Sequence, residues 1–199
     1  MIFIFSVEVP FMTNNDDTQY IKSCDDFKVL RLPYKNCDLS MYILLPHKRD
    51  GLWALAEKVG SDPLFLEKFA TRDINAVKVG RFKVPKFKIT YTFEASMVLR
   101  SLGLKTCFSS DADFNEMVQE VPGGWIQVNN VLHKSCIDVN EEGTEAAAAT
   151  AIFGRFGCAR RRPVPRVDFV ADHPFMFMIR DDESGMVMFM GHVVNPLLQ

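Results

Sequence analysis

With 199 residues, 48% of them hydrophobic and 24% charged, the chain is long enough to bury a sizeable core. Its formal net charge of -2 gives no electrostatic argument for a nucleic-acid partner or an anionic membrane surface. The apolar run at residues 1–7 is short, lacks a basic start and is followed by Glu8. We therefore expect a strand there, and neither a signal peptide nor a transmembrane helix.

The predicted elements mix strands with short helices. Alternating hydrophobicity predicts strands at residues 2–12, 27–33, 40–45, 77–89, 125–131, 133–139, 175–180 and 186–194. Residues 51–70 read as two short helices broken at 60–63, with Asp62 as a cap before Pro63. A further amphipathic helix is predicted at 93–102, ended by Gly103. The polar residues 181–185 predict a hairpin turn between the last two strands.

Cysteine and histidine positions argue against a disulfide framework or a metal site. The five cysteines, at 24, 37, 107, 136 and 158, are odd in number and irregularly spaced, so we predict free thiols in a reducing compartment. The four histidines, at 47, 133, 173 and 192, show no HExxH pattern. His133 and Cys136 lie three apart on a predicted strand, so their side chains should point to opposite faces. No nucleophile or phosphate motif is present, and we predict no catalytic residue, no metal and no cofactor.

Two residue clusters each allow a structural and a functional interpretation. A basic run could follow a phosphate backbone, but the solvated face of a half-buried strand is the favoured interpretation. A methionine cluster near the C-terminus alternates with apolar residues, and core filling is favoured over a redox or copper site. The basic run is Lys78, Arg81, Lys83, Lys86 and Lys88, and the methionines are Met176, Met178, Met186, Met188 and Met190.

A family resemblance extends through nearly the whole chain. The segment EEGTEAAAAT at 141–150 is followed by DFVADHPFMFMI at 168–179. In this order and spacing, the two segments look like the reactive-centre hinge and the C-terminal signature of a plant-type serpin. Further matching segments lie at residues 9–12, 27–34, 41–46, 84–89, 133–135 and 191–196. The chain resembles the C-terminal half of such a serpin.

The resemblance implies a fold and a domain organisation. We expect an α+β fold that is an incomplete serpin fold. It would contain sheets B and C, the C-terminal strands of sheet A, a few short helices and an exposed reactive-centre loop. The loop would cover about residues 143–167 within a single partial domain of residues 1–199. The other strands of sheet A would belong to the half that the chain does not resemble.

The resemblance also implies protease inhibition without a cofactor, by a protein that is not an enzyme. In this family an exposed loop offers a bait bond to a protease, which forms its acyl-enzyme there. The hinge then inserts into sheet A as a new strand, and the protease is trapped. Small side chains suit this passage between two strands, and a glycine allows the bend. The implied hinge is Gly143, Thr144, Glu145, Ala146, Ala147, Ala148 and Ala149.

The bait bond has two candidate positions. The family's spacing from the hinge glycine gives Gly157–Cys158, whereas counting back from Asp168 gives Cys158–Ala159. A small residue at the primary position suits an elastase-like serine protease, and a papain-like cysteine protease is the other partner considered. Arg155 and the arginines at 160–162 could attract trypsin-like enzymes, but they lie out of register for trapping.

Two functional hypotheses follow from the resemblance. The chain is a serine-type endopeptidase inhibitor, or it is a non-inhibitory serpin remnant that acts as an interaction protein or has no function. Trapping needs a strand from the half that the chain does not resemble, and His133, which matches the shutter histidine of the family, would have its partners there. The strand at 133–139 would then have an unpaired edge, which favours self-association.

The predicted location follows from two opposing considerations. The free thiols and the expected lack of a signal peptide favour the cytoplasm. The family resemblance gives the extracellular space as the alternative.

Overall fold

A computed structural model describes residues 6–13, 17–35, 37–117, 126–140 and 165–198 of the chain. The strands are β1 (Phe11–Met12), β2 (Thr18–Ser23), β3 (Phe27–Pro33), β4 (Leu39–Pro46), β5 (Ala76–Pro85), β6 (Phe87–Glu94), β7 (Leu132–Val139), β8 (Val167–Val170), β9 (Phe175–Asp181) and β10 (Val187–Val193). The helices are α1 (Leu52–Ser61), α2 (Phe65–Phe69) and α3 (Ser96–Ser101), with short 3-10 helices at Thr106–Phe108 and Asn115–Met117. Among the described residues, no helix has the length and apolar character needed to cross a membrane.

The larger sheet joins strands from both ends of the chain. Its order is β1-β5-β2-β3-β4-β9-β10, and these neighbours are antiparallel. Strand β8 adds to β5 in parallel. Every residue of β4 from Ser40 to Pro46 is buried, as expected of a central strand covered on both faces. A smaller sheet pairs β6 with β7.

One face of the larger sheet packs against α1 and α2. The strand register places Val29, Leu44 and Met176 side by side across β3, β4 and β9. Burial of each such side chain contributes roughly 1.5–3 kcal/mol to folding. The cluster on this face consists of Phe27, Val29, Tyr42, Leu44, Leu52, Leu55, Phe65, Ala70, Ile74, Met176 and Met178.

The chain divides into two compact units. The first consists of Met1–Lys88 and Asp138–Gln199, and it contains the larger sheet with α1 and α2. The second is Ile89–Ile137, and it contains α3 and most of the smaller sheet. Compact units of this kind are compatible with one domain or with two, so the single-domain organisation stays a prediction.

Most of the predicted elements are confirmed. The strands predicted at 27–33, 40–45, 133–139, 175–180 and 186–194 correspond to β3, β4, β7, β9 and β10. The broken helix at 51–70 corresponds to α1 and α2. The prediction of Asp62 as the cap of the second helix is wrong, because Asp62 is the C-cap of α1 and Leu64 directly precedes α2. The Asp62 carboxylate instead accepts a hydrogen bond from the Leu64 amide at 3.0 Å. Gly103 follows α3 with a φ of 101°, and Gly185 closes the hairpin turn with a φ of 76°. Only glycine adopts these angles without strain.

Several boundaries are wrong, and local hydrogen bonds explain two of them. Residues 126–131 form no strand, because Val131 pairs with the start of α3 instead. Its carbonyl accepts from the Ala95 amide at 2.7 Å, and its amide donates to Ser96 Oγ at 2.8 Å. These bonds also place the start of the helix at Ser96, so residues 93 and 94 belong to β6. Of the predicted strand at 2–12, the described residues contribute only Phe11–Met12, and the segment 77–89 is two strands.

The methionine cluster is divided between the core and the surface. Core filling is confirmed for Met176 and Met178, which are 8% and 2% exposed. It is wrong for Met186, Met188 and Met190, which are 63%, 54% and 45% exposed. The first two lie on the internal strand β9, whereas the others lie on or next to β10, the last strand of its sheet. Apolar periodicity alone does not distinguish an internal strand from an edge strand.

Candidate functional site

The predicted hinge and bait bonds lie outside the described residues. The hinge residues Gly143–Ala149 and both bait positions, Gly157–Cys158 and Cys158–Ala159, fall in the segment 141–164. Their roles stay predictions. The structure describes β7, which precedes this segment in the chain, and β8, which follows it. Most of β7 belongs to the second unit and β8 belongs to the first, and each strand has its own contacts.

On the N-terminal side of the segment, β7 belongs to the smaller sheet. Residues that come later in β6 contact residues that come earlier in β7, as in an antiparallel pair. These contacts are Lys88 Nζ to Asp138 Oδ2 at 3.2 Å, Thr90 Oγ1 to Cys136 Sγ at 3.6 Å, and the rings of Phe93 and His133 with centres 5.5 Å apart. Within the described part of the chain, no strand pairs with the other edge of β7. The unpaired edge expected for residues 133–139 stays a prediction.

His133 is exposed, and its imidazole lies against the ring of Phe93. Cys136 contacts Thr90 on the opposite face of the same strand pair, as its spacing from His133 predicted. Nowhere among the described residues do three potential metal ligands come together. The four described cysteines are free thiols, and Cys158 lies outside the described residues. The shutter role of His133 stays a prediction.

On the C-terminal side of the segment, β8 is fixed to β5 by a buried aromatic side chain. Phe169 is completely buried, and its ring centre lies 6.4 Å from that of Phe82. The parallel register pairs Phe169 with Phe82 and Val170 with Lys83, and the Ala171 amide continues the ladder to the Lys83 carbonyl at 2.9 Å. The chain that follows the predicted bait loop therefore starts from a fixed position.

Asp168 also fixes the same strand, through polar contacts with Arg81 and Lys28 that we call the clasp. Its carboxylate accepts hydrogen bonds from the Arg81 amide at 2.8 Å and from Arg81 Nε at 2.9 Å. Its carbonyl accepts a bond from Lys28 Nζ at 2.7 Å. The Arg81 amide, followed by the Arg81 side chain, holds the pKa of Asp168 below its usual value. No local sequence pattern predicts this role, because Arg81 and Lys28 are far from Asp168 in the chain.

Gly80 makes the clasp sterically possible, and this allows a test. A Cβ atom at position 80 would clash with Asp168 Oδ1. Gly80→Ala is expected to displace the carboxylate, break its bonds to Arg81 and lower the thermal unfolding midpoint by a few degrees. Differential scanning calorimetry measures this shift. Gly60→Ala is the control, since nothing lies within 4 Å of a Cβ there. A Gly80→Ala midpoint equal to that of the wild type would show that β8 does not depend on the clasp.

The residues after β8 are fastened to the end of β4. His173 Nε2 lies 2.7 Å from the Pro46 carbonyl oxygen, and His173 Nδ1 lies 2.8 Å from Asp172 Oδ1. Arg49 donates to the other carboxylate oxygen of Asp172 at 2.6 Å. Burial raises the pKa of Asp172, but the bond from His173 and the charge of Arg49 outweigh this and hold it below its usual value. This part of the DHPF segment thus has a structural role.

The basic run on β5 and β6 is largely neutralised by its neighbours. Within the described residues, partners are Asp17 for Lys78 at 3.5 Å, Asp168 for Arg81 at 2.9 Å, the ring of Phe11 for Lys83 at 5.8 Å, and Asp138 for Lys88 at 3.2 Å. A phosphate backbone would have to displace three acidic partners to reach these side chains. The arrangement supports the solvated strand face over a nucleic-acid site.

Comparison with known proteins identifies the fold. The family model described as Serpin (serine protease inhibitor) matches residues 5–196. The chain belongs to the serpin family. Serpin-ZXA of Oryza sativa subsp. japonica is 54% identical in an alignment of 198 residues that covers 97% of this chain and 48% of that protein. Serpin-Z1B of Triticum aestivum is 51% identical over 197 residues, again 97% and 48%. The chain thus spans about half the length of the curated relatives it matches.

Solved structures agree with this assignment. The native stressed conformation of AtSerpin1 from Arabidopsis superposes with a TM-score of 0.71 and 40% identity, over 96% of this chain and 49% of that one. A cleaved form of Serpin 42Da gives a TM-score of 0.69 and 30% identity, over 95% and 47% of the two chains. The predicted resemblance to plant serpins and the partial α+β serpin fold are confirmed.

Proposed function

We propose that this serpin chain offers the segment 143–167 as a bait loop to a serine or cysteine protease and inhibits that protease by inserting the hinge beside β7. The outer edge of β7, with which no strand pairs among the residues that the structure describes, carries the proposal, because an inserting strand needs unpaired backbone groups to pair with. The fixed position of β8 supports it, because cleavage then frees only the hinge side of the loop. The family of protease inhibitors to which the chain belongs supports a protease partner.

The finer roles belong to the same proposal. Gly157–Cys158 is the first choice for the bait bond and Cys158–Ala159 the second, with an elastase-like or papain-like protease as the target. Gly143 to Ala149 form the hinge, and His133 acts as the shutter residue. The cytoplasm is the proposed location.

One observation favours a second function, a bait that is cleaved without trapping. An inserted strand gains its full set of ladder hydrogen bonds only between two neighbours. Within the described residues, β7 supplies one of these neighbours. In this alternative the chain is a non-inhibitory serpin that interacts with a protease as a substrate.

A denaturing gel distinguishes the two functions. The purified chain is incubated with elastase-like, papain-like and trypsin-like proteases, boiled and separated, and the fragments are weighed by mass spectrometry. Inhibition predicts a band at the summed mass of chain and protease. The alternative predicts cleavage at positions 157–159 without that band.

Thr144→Arg provides the matched variant for this assay. A long charged side chain in the hinge opposes insertion but leaves the bait bond unchanged. It is expected to convert trapping into simple cleavage at the same bond. Resistance of the whole segment 143–167 to all three proteases would contradict both functions.

A further inference from the structure

A cavity of about 490 Å³ lies between the hairpin of β2 and β3 and the helices α1 and α2. Every residue that lines it belongs to the stretch 22–69 of the first unit, far from the predicted bait loop in the chain. Pockets for small organic molecules have volumes of about 300–1,000 Å³ and combine apolar walls with a few polar groups that fix orientation. The cavity has the size of such a pocket, and its lining decides which ligand it suits.

Three phenylalanine rings form the apolar wall of the cavity. The ring centre of Phe27 lies 5.5 Å from that of Phe65 and 5.2 Å from that of Phe69, and the latter two centres are 4.7 Å apart. Phe27 and Phe65 are each 4% exposed, so packing fixes their positions, and Phe69 is half-buried. Aromatic rings favour offset and tilted contacts with centres about 4.5–7 Å apart. The wall therefore suits a ligand that brings a further aromatic ring.

The ammonium group of Lys22 is held at this wall. Lys22 Nζ donates a hydrogen bond to the Lys68 carbonyl at 2.9 Å and lies 5.3 Å from the centre of the Phe69 ring. Among the residues that the structure describes, no carboxylate forms an ion pair with Lys22. An ammonium group has three N–H donors, so donors remain for an anion after the bond to the carbonyl. The cavity thus contains a fixed cation that can bind an anionic group of a ligand.

Two carboxylates of the lining are already neutralised. Asp26 forms an ion pair with Lys58 of α1. Asp62 accepts a hydrogen bond from Lys68 Nζ at 2.9 Å. A ligand cation would have to displace these lysines, so neither carboxylate favours a cationic ligand.

The remaining charges of the lining, Lys22 and Asp25, favour ligands of opposite sign. Burial raises the pKa of the Cys24 thiol in the same cavity, and the charges of Lys22 and Asp25 act on that thiol in opposite directions. Asp25 is exposed in the turn between β2 and β3, whereas Lys22 is half-buried. A partly desolvated charge attracts a ligand more strongly, because the effective dielectric constant around it is lower than in water. The balance therefore favours an anionic ligand.

We propose that this cavity binds a small aromatic carboxylate, with the carboxylate on Lys22 Nζ and the aromatic ring against the three phenylalanines. The charge-assisted hydrogen bond to Lys22 fixes the orientation of the ligand, and burial of its ring supplies apolar contact. The proposal uses no residue of the segment 143–167, β7 or β8. It is therefore independent of the proposed protease inhibition.

Two probes with the same ring and opposite charge test the ligand class. The 199-residue chain is titrated with 2-naphthylacetate and with 2-(2-naphthyl)ethylamine at neutral pH, and binding is followed by ligand-observed NMR. We expect the carboxylate to bind at least about tenfold more tightly than the amine. Equal or tighter binding of the amine would overturn the proposal in favour of a cation site at Asp25. No binding of the carboxylate up to about 10 mM would overturn it as well.

Lys22→Met tests the anchor, because methionine keeps an apolar side chain and removes the charge. It is expected to weaken carboxylate binding at least about fivefold. Lys28→Met is the matched control, since Lys28 Nζ also donates to a backbone carbonyl but does not line the cavity. Asp25→Asn should preserve or strengthen binding, and circular dichroism reports whether each variant is folded. Equal losses in the two lysine variants, or a loss in Asp25→Asn, would contradict the assignment of Lys22.

The thiol of Cys24 locates the ligand on the unsubstituted chain. Cys24 lines the cavity, whereas Cys37 is exposed and lies outside it. Alkylation with iodoacetamide, followed by mass spectrometry of the peptides, gives the labelling rate of each thiol. A saturating concentration of 2-naphthylacetate should slow labelling of Cys24 at least about threefold and leave that of Cys37 unchanged. An unchanged rate at Cys24 would show that the carboxylate does not bind in this cavity.

Discussion

Asp182→Ala is expected to lower the free energy of unfolding by about 3–5 kcal/mol, because it leaves the buried guanidinium of Arg31 without its counter-charge. The carboxylate of Asp182 accepts hydrogen bonds from Arg31, Ser40 Oγ and Tyr42 Oη, each at 2.6 Å. The side chains of Asp182 and Arg31 are only 3% and 10% exposed. Removal of the carboxylate would leave three buried donors without an acceptor.

Urea unfolding at neutral pH measures this effect. Asp38→Ala is the control, since Asp38 is 54% exposed and 3.7 Å from Arg72, and its loss should cost less than about 1 kcal/mol. Similar losses for the two variants would contradict the assignment of Asp182 as a buried anchor.

The same carboxylate predicts an acid dependence of stability. Burial raises the pKa of Asp182, but hydrogen bonds from Ser40, Tyr42 and Arg31 outweigh it and hold the pKa below its usual value. Because the folded-state pKa is depressed, the stabilisation is present above the unfolded value of about 4 and is lost as pH falls through the folded value. Wild-type stability should therefore fall more steeply in this range than that of the Asp182→Ala variant.

The network also fixes the position of β10. Asp182 lies in the turn between β9 and β10, and its amide donates to the Asp38 carbonyl at 2.7 Å. Burial raises the pKa of Tyr42, and its bond to Asp182 acts in the same direction, so the hydroxyl remains a donor at neutral pH. The strands β3 and β4 and the hairpin of β9 and β10 are thereby held by one carboxylate.

Asp181 and Asp182 show which contacts of the turn between β9 and β10 can be predicted from the sequence and which cannot. The polar segment 181–185 predicts a turn, and Asp181 behaves accordingly: its carboxylate accepts bonds from the Glu183 and Ser184 amides at 3.1 and 2.7 Å. These partners are local, so a turn pattern includes them. The partners of Asp182 lie on β3 and β4, far away in the chain, and no local pattern distinguishes the buried aspartate from the exposed one.

The candidate site likewise combines features that the sequence predicts with features that depend on residues far apart in the chain. The prediction of the hinge and bait loop depends on the resemblance to a family, because a run of small residues does not by itself indicate one structure or function. The clasp that Asp168 forms with Arg81 was missed, since it joins residues that are adjacent only after β8 has paired with β5. The exposed methionines on or next to β10 were predicted to lie in the core, because an apolar strand has the same sequence pattern inside a sheet and at its edge.

Gly191→Ala is expected to lower the free energy of unfolding by about 1–3 kcal/mol, because it overpacks the contact between β10 and β9. A Cβ at position 191 would lie 2.9 Å from Phe177 Cζ and 3.0 Å from Cε1. The ring of Phe177 is 4% exposed and packs at 5.3 Å from that of Phe87, so it has little room to move. Gly191 therefore allows the close approach that β10 makes to its neighbour.

Gly60→Ala is the control for this measurement as well. It lies in α1 with nothing within 4 Å of a Cβ, and alanine should stabilise the helix by up to about 1 kcal/mol. The cause of the Gly191→Ala effect is tested by adding Phe177→Leu, which removes the ring that the new methyl group meets. If the steric contact is responsible, the double variant loses less stability than the sum of the two single variants. If the losses of stability in the two single variants simply add, the Gly191→Ala effect does not come from the contact with the Phe177 ring. The close approach of β10 to Phe177 would then not depend on glycine.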